Sequence, residues 1–495
     1  MGFLNSAVIK ANPARESTPW LIALLIAALA GLLFAAIGST TSPGMILIVV
    51  AMLGVAVLGM ISPTLAFIFV AAVIPIERLG RFSDDSSIYM ISLMRLAGLL
   101  AMLSFGVHAL IKRWKLRFGS SLLLYGAYCL FAGLTLFYSK DLSQAYRLYG
   151  LVVGNVFFFF LVINVVRSWK LFNTVLLVWI ASSVLMGMFT IYNWHFSGSV
   201  IAEKQIGTTS TRFSTMYNDL SEWESLGGVT RAFGPTSGPA VYGINMILTL
   251  PFLLYLIRFA KTNVSKVLWL SALAIILYNI LLTNTRATIV GAIIALLLSG
   301  LHRLIPITPA RVIAFCLIII LIIPIIPNTV IYRTLSYANY TYGQSATLRA
   351  RIAFWKAWLN MAREYWLTGV GFGDLVTLSK YYDTSELPEQ MSVHNHFLAT
   401  FMELGIVGWL LFMGFLGSVF WTTRRAIRFF RERPAEQAQY WFLIASQVSF
   451  LTVLLYGLQC DVFYMPLKGW WLIAGLSQVL YMQINVSRVP EVQGL

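Results

Sequence analysis

The residues best placed for chemistry are His394, Arg286 and Arg231. His394 lies in the run Ser392-Val-His-Asn-His-Phe-Leu-Ala-Thr-Phe-Met-Glu-Leu-Gly-Ile-Val-Gly-Trp409, where two histidines flank Asn395 and lead into an apolar stretch of membrane-spanning length. This puts His394 at or near a helix N-terminus beside a membrane surface. The positive end of a helix dipole disfavours imidazolium, so such a histidine stays neutral and can accept a proton. Arg286, in Asn284-Thr-Arg286-Ala-Thr, lies where one apolar stretch ends and the next begins. Arg231 opens Arg231-Ala-Phe-Gly-Pro-Thr-Ser-Gly-Pro239, just before another. A cation at a helix start is opposed by the dipole. Two of them on the side of His394 point to an anion held by guanidinium forks and helix N–H groups. The rival account lets each guanidinium reach a lipid phosphate on its own.

A second rank of residues could support these. Arg95 reads as two turns inside its span, where an ionisable group normally faces the bundle interior or a wet cavity. It either joins the anion site or pairs with an acid such as Glu403 or Asp461. Glu403 follows His396 by seven residues, so the two share a helix face. It either anchors an arginine or tunes a histidine. Of Arg349 and Arg351, one is expected to be solvated and the other to face inward. His108, His195 and His302 read as structural. Gly369-Val-Gly-Phe-Gly373 reads as a glycine turn and not a phosphate loop, because no helix follows it directly. Cys129, Cys316 and Cys460 have no metal-ligand spacing, so neither a disulfide framework nor a metal site is expected. No cofactor is expected.

The elements that must position these residues are membrane helices. The 495 residues are 59% hydrophobic and only 11% charged, against about 25% charged in soluble domains. Continuous apolar runs exclude a barrel and give an all-α, polytopic bundle. The expected spans are 19–38, 44–61, 63–77, 87–109, 120–138, 147–166, 171–193, 236–257, 266–283, 286–302, 311–327, 396–421, 439–458 and 463–482. These make about fourteen helices, or twelve if 44–61 and 63–77 are not counted. Phe157–Phe160 could flank a lipid tail, plain lipid contact being the simpler reading. The first span follows a basic tail yet is long enough to stay as an anchor.

The net charge of +16 would suggest nucleic acid on a soluble protein. Here it reads as a topology signal, and no nucleic-acid partner is expected. With Lys10 and Arg15 inside, the basic clusters 112–117, 167–170, 258–266, 303–311 and 424–433 all fall on that same face, as does the C-terminus. The opposite face receives two long polar segments. The chain thus divides into N-terminal spans (1–194), a first outer loop (195–235), central spans (236–327), a large outer loop (328–393) and C-terminal spans (394–495). Within the large loop, Gln344–Trp366 reads as an amphipathic helix. Leu348, Ile352, Trp355, Leu359 and Ala362 form its apolar stripe, expected to lie on the outer leaflet or cap the bundle.

His394-Asn395-x-x-Leu398…Glu403-x-Gly405-x-x-Gly408 resembles the signature of the O-antigen ligase and polymerase superfamily of bacterial membrane glycosyltransferases. Arg351-x-x-x-Trp355-x-x-x-Leu359, Gly369–Gly373 and Thr285-Arg286 resemble it too, so the resemblance covers roughly residues 225–415. It implies metal-independent transfer of an oligosaccharide from undecaprenyl diphosphate to an acceptor hydroxyl at the periplasmic face of the bacterial inner membrane, with both termini cytoplasmic. The acceptor would be lipid A core in a ligase, another carrier-linked glycan in a polymerase, or a protein hydroxyl. By position, His394 matches the essential histidine, and Arg286 and Arg231 match arginines that bind the donor diphosphate. His396 is not a usual family position. A reading of another class, a secondary transporter or flippase, would have Arg95, Arg286 and Glu403 line a path near the bilayer midplane.

Overall fold

The computed structural model describes residues 59–76, 92–198, 200–202, 214–219, 229–305, 346–374 and 394–488, with the backbone alone at 202, 219, 346–354 and 485–488. The expected spans at 19–38 and 311–327, and nearly all of 44–61, lie outside the described residues.

The described chain is helical almost throughout. Its helices are α1 (Pro63–Val73), α2 (Leu93–Ile111), α3 (Ser120–Thr135), α4 (Leu142–Val165), α5 (Trp169–Tyr192), α6 (Pro239–Phe259), α7 (Asn263–Leu282), α8 (Arg286–Leu301), α9 (Ala346–Tyr365), α10 (His396–Arg431), α11 (Gln437–Gly457) and α12 (Lys468–Arg488). Seven described helices are long and apolar enough to cross a membrane, and α1, α3 and α8 are shorter apolar helices. This is an all-α, multi-pass membrane protein. Local chemistry sets many of the starts. Ser92, Asp141, Ser168 and Asn395 each accept a backbone N–H of the first turn. Pro63 and Pro239 begin α1 and α6, where a missing N–H is harmless.

Short connections join α2 through α5, α6 through α8 and α10 through α12, so polar ends alternate within each run. Arg167 donates to the Lys115 carbonyl, and Arg258 donates to the Arg303 carbonyl while stacking on Trp441 at 3.6 Å. These contacts gather several basic loops at one end of the bundle, the basic end. Tyr456, Asp461 and the starts of α6, α8 and α10 gather at the other, the site end. The core between them is aromatic. Trp470, Trp471, Phe159, Phe412, Phe415 and Phe463 pack edge-to-face or stacked, an arrangement worth about 1 kcal/mol per pair beyond area burial. Phe158 and Phe159 belong to this core, leaving Phe157 as the exposed member of the phenylalanine run. Leu96, Leu99, Leu103, Val107 and Leu110 form an exposed stripe on α2, suited to lipid.

Two features of the site end refine the expectation. The first outer loop contributes a small sheet of three short strands, β1 (Val200–Ala202), β2 (Met216–Asp219) and β3 (Val229–Ala232). β1 pairs parallel with β2, and β2 pairs antiparallel with β3, with Tyr217 opposite Arg231. The amphipathic helix forms close to its expected bounds. Ala357 and Met361 are buried against Ala399 and Met402 of α10, whereas Trp355 and Leu359 of the expected apolar stripe are exposed, so of the two expected placements capping the bundle does not hold for these two residues.

Candidate functional site

His394 is the residue immediately before the N-cap of α10. Its backbone is left-handed (φ 51°), a conformation uncommon for any residue with a Cβ and costing on the order of 1–2 kcal/mol. Two fixtures hold it there. The His394 N–H donates to Asp461 Oδ2 at 3.3 Å, and Asn395 Oδ1 accepts from the Leu398 N–H at 3.1 Å. His394 is half-buried. His396, the first helical residue, is fully enclosed by the rings of Phe412, Phe463 and Tyr464, with centroids 4.7–5.2 Å away. Neither of its ring nitrogens has a hydrogen-bond partner.

Arg286 is the first residue of α8 and follows a comparable turn. Asn284 is left-handed (φ 48°), and Thr285 is the N-cap. Thr285 makes no cap bond of its own; its Oγ1 donates to the Thr283 carbonyl at 3.0 Å. Two residues on, Thr288 Oγ1 lies 3.4 Å from the Tyr456 hydroxyl near the end of α11. The adjacent Gly457 leaves room for Phe397 of α10, whose ring would stand 3.3 Å from a Cβ at that position. The end of α11 therefore touches the first turn of α8 on one side and the first turn of α10 on the other. His394 and Arg286 head two helices buttressed by the same pair of residues.

Arg231 lies on β3, half-buried, and its Nη1 donates to the hydroxyl of its cross-strand neighbour Tyr217 at 3.2 Å. The turn after β3 closes onto the residue before β2, where the Phe233 and Gly234 N–H groups both donate to the Thr215 carbonyl, and Gly234 lies close against the Tyr242 ring of α6. Arg231 is thereby carried to the site end, next to the start of α6.

Among the described residues, Glu403 neither anchors an arginine nor hydrogen-bonds a histidine. Its Oε2 accepts from the Gly373 N–H at 3.1 Å and from the Tyr464 hydroxyl at 2.6 Å. Tyr464 in turn packs its ring on His396, so the two α10 residues seven apart are joined through it. Two positions later α10 breaks, with Gly405 at φ 60° and ψ −165°. Ile406, whose helical acceptor would be the Met402 carbonyl, donates instead to the Trp366 carbonyl at 2.9 Å. The Met402 and Glu403 carbonyls are taken up by the Val370 and Gly371 N–H groups, each at 3.0 Å. A Cβ on Gly405 would lie 2.3 Å from the Leu367 carbonyl oxygen, and one on Gly369 would lie 2.3 Å from the Glu403 carbonyl oxygen. The glycine turn is thus a strap threaded into a broken helix, and it pairs again the Met402 and Glu403 carbonyls and the Ile406 N–H that the break releases.

Arg95 stands elsewhere than expected. α2 starts at Leu93, so Arg95 is in the first turn and exposed, its N–H bonded to the Ser92 cap. It is within Coulombic range of Lys468, which donates to Asn155 Oδ1 at 2.5 Å. Arg351 is on α9, its side chain outside the described residues, as is that of Arg349. His108 contacts the Ser104 carbonyl, His195 stacks on Tyr278, and His302 ends α8. Asp461 and Tyr464, which hold His394 and Glu403, carry no spacing signal in the sequence. They lie in a short connection between two spans.

Residues 247–413 match the O-antigen ligase family. The matched segment includes Arg286, the strap, the break at Gly405 and His394-Asn395, and it begins after Arg231. The chain is thus similar to the O-antigen ligase and polymerase superfamily, as the block from His394 to Gly408 implied. In broad class this supports a membrane glycosyltransferase acting on a lipid-linked glycan and an acceptor. No curated protein matches the chain.

Proposed function

We propose that this protein transfers a glycan from undecaprenyl diphosphate to an acceptor hydroxyl at the periplasmic face, with inversion and without a metal. The observation that carries the reading is the shared buttress. Tyr456 and Gly457 hold the helix headed by Arg286 beside the helix preceded by His394. The acceptor oxygen attacks the anomeric carbon as the bond from that carbon to the phosphate oxygen breaks. The electron pair leaves with the diphosphate, whose charge Arg286 and Arg231 neutralise. The hydroxyl proton passes to the His394 imidazole. Guanidinium groups at a helix start supply a fixed positive field where negative charge grows, which is how such displacement is accelerated. His394 acts in preference to His396, because an enclosed ring cannot meet a hydroxyl. Asn395, Glu403 and His396 support the histidine's position, while Arg95 and Arg351 stay outside the mechanism.

The family's description favours a ligase-type acceptor, lipid A core, over a second carrier-linked chain or a protein hydroxyl. The test is His394→Ala and Arg286→Ala in the native host, with surface glycan resolved on a gel and protein abundance matched. Carrier-linked chains beside bare lipid A core are the expected result, and single-repeat glycans would instead identify a polymerase. Full-length glycan at normal abundance in either variant would end the proposal. The transporter reading predicts polar groups converging at mid-membrane, whereas Arg286 and His394 head helices at one end of the bundle.

A further inference from the structure

At the basic end, opposite His394, the last turns of α10 and α12 part around a cavity of about 620 Å³. Arg425, Arg428 and Glu432 line one side, spaced three and four residues apart on a single helix face. Arg433 closes the rim, stacked on Phe429 at 3.8 Å and paired with Glu436 at 3.7 Å. Tyr481 and Ile484 of α12 form the apolar wall. Three guanidinium groups against the one lining carboxylate leave the wall two positive charges in excess. Arg428 makes no hydrogen bond or ion pair among the described residues, and Arg425 only overlies Trp421, at 5.4 Å.

Arginines near a helix C-terminus are expected from the dipole and from topology. Those rules explain the charge. They do not explain a half-open cavity whose volume falls within the usual range for small-ligand sites, roughly 300–1,000 Å³. Guanidinium forks match phosphate oxygens in pairs. The depth is that of lipid headgroups: exposed Trp421 lies one turn before Arg425, and Arg258 stacks on Trp441 at the start of α11. The apolar wall suits glycerol and the first acyl carbons, which a free phosphate would leave unused.

We propose that this cavity binds the phosphodiester headgroup of an anionic membrane phospholipid. The site is independent of the transfer chemistry at the other end. The test places the full chain in bilayers of phosphatidylcholine with phosphatidylglycerol and counts retained lipids by native mass spectrometry. The wild type should retain phosphatidylglycerol over phosphatidylcholine. The triple variant R425Q/R428Q/R433Q should lose that preference by about fivefold per arginine, and the triple lysine variant should keep most of it. R428Q alone, at a side chain with no bond among the described residues, should lose about fivefold and keeps the test readable if the triple variant is unstable. A wild type without preference, or a glutamine variant that keeps it, overturns the proposal. Displacement of the lipid by millimolar glycerol phosphate would overturn the assignment to a membrane lipid.

Discussion

The starts of α8 and α10 are built on one plan and finished differently. Each begins with a left-handed residue, Asn284 or His394, followed by an N-cap, Thr285 or Asn395. In α8 the strained position goes to asparagine, a residue type that tolerates it, and the proposed functional side chain is inside the helix at Arg286. In α10 the proposed base itself occupies the strained position, and a capping bond and Asp461 hold it there. An anion-binding arginine gains from the oriented N–H groups of the first turn. A base gains from standing just outside, free of the helix's own hydrogen bonds and fixed in direction. Strain of this kind persists only where the surroundings over-determine it.

The sharpest way to break the comparison is to remove each side chain. His394→Ala should slow transfer about 10²–10⁴-fold, the usual worth of a positioned base. Arg286→Ala should cost about 10²–10³-fold, the usual worth of one charge-stabilising donor. His394→Gly separates ring from backbone. It should lose as much activity as alanine while melting at or above the wild-type temperature, because glycine relieves roughly 1 kcal/mol of left-handed strain. An active glycine variant would remove the imidazole from the mechanism. Gly405→Ala comes next, since its Cβ meets a carbonyl that cannot retreat. A loss of about 2–4 kcal/mol in detergent-solubilised stability is expected. Its transfer rate should fall too, because the strap positions only the α10 start. The smallest effect separates the two caps. Asn395→Ala should cost about 1 kcal/mol, and Thr285→Ala, which gives up no cap bond, only a few tenths. Equal losses, measured by thermal melting, would mean that the two starts are not finished differently.

Much of this was legible because lipid demands continuous apolar helices, and because charge at a helix start violates expectation visibly. Arg286 and His394 could be placed for that reason. Arg95 was set too deep because Tyr89-Met-Ile91 continue the apolar run past the true cap, Ser92. For α9 the apolar stripe allowed the outer leaflet or the bundle, and the exposure of Trp355 and Leu359 removes only the second for these two residues. The strap was hidden for a different reason. Gly369–Gly373 and Glu403-x-Gly405 are separate patterns in the sequence, and only backbone hydrogen bonds across some thirty residues, in no regular register, join them. The small sheet escaped notice because strands of three or four residues carry no periodicity.

The break at Gly405 divides α10 into a short upper piece and a long shaft. Hydrogen bonds from Val370 and Gly371 fasten the upper piece to the strap that follows α9, and the bond from Ile406 to the Trp366 carbonyl fastens the shaft to the same segment. Phe372 and Tyr138 tie that segment in turn to the end of α3 and the turn after it. The break is therefore a clamped joint: the direction in which the imidazole is presented is set by a stretch of chain some thirty residues upstream, and not by the column beneath it.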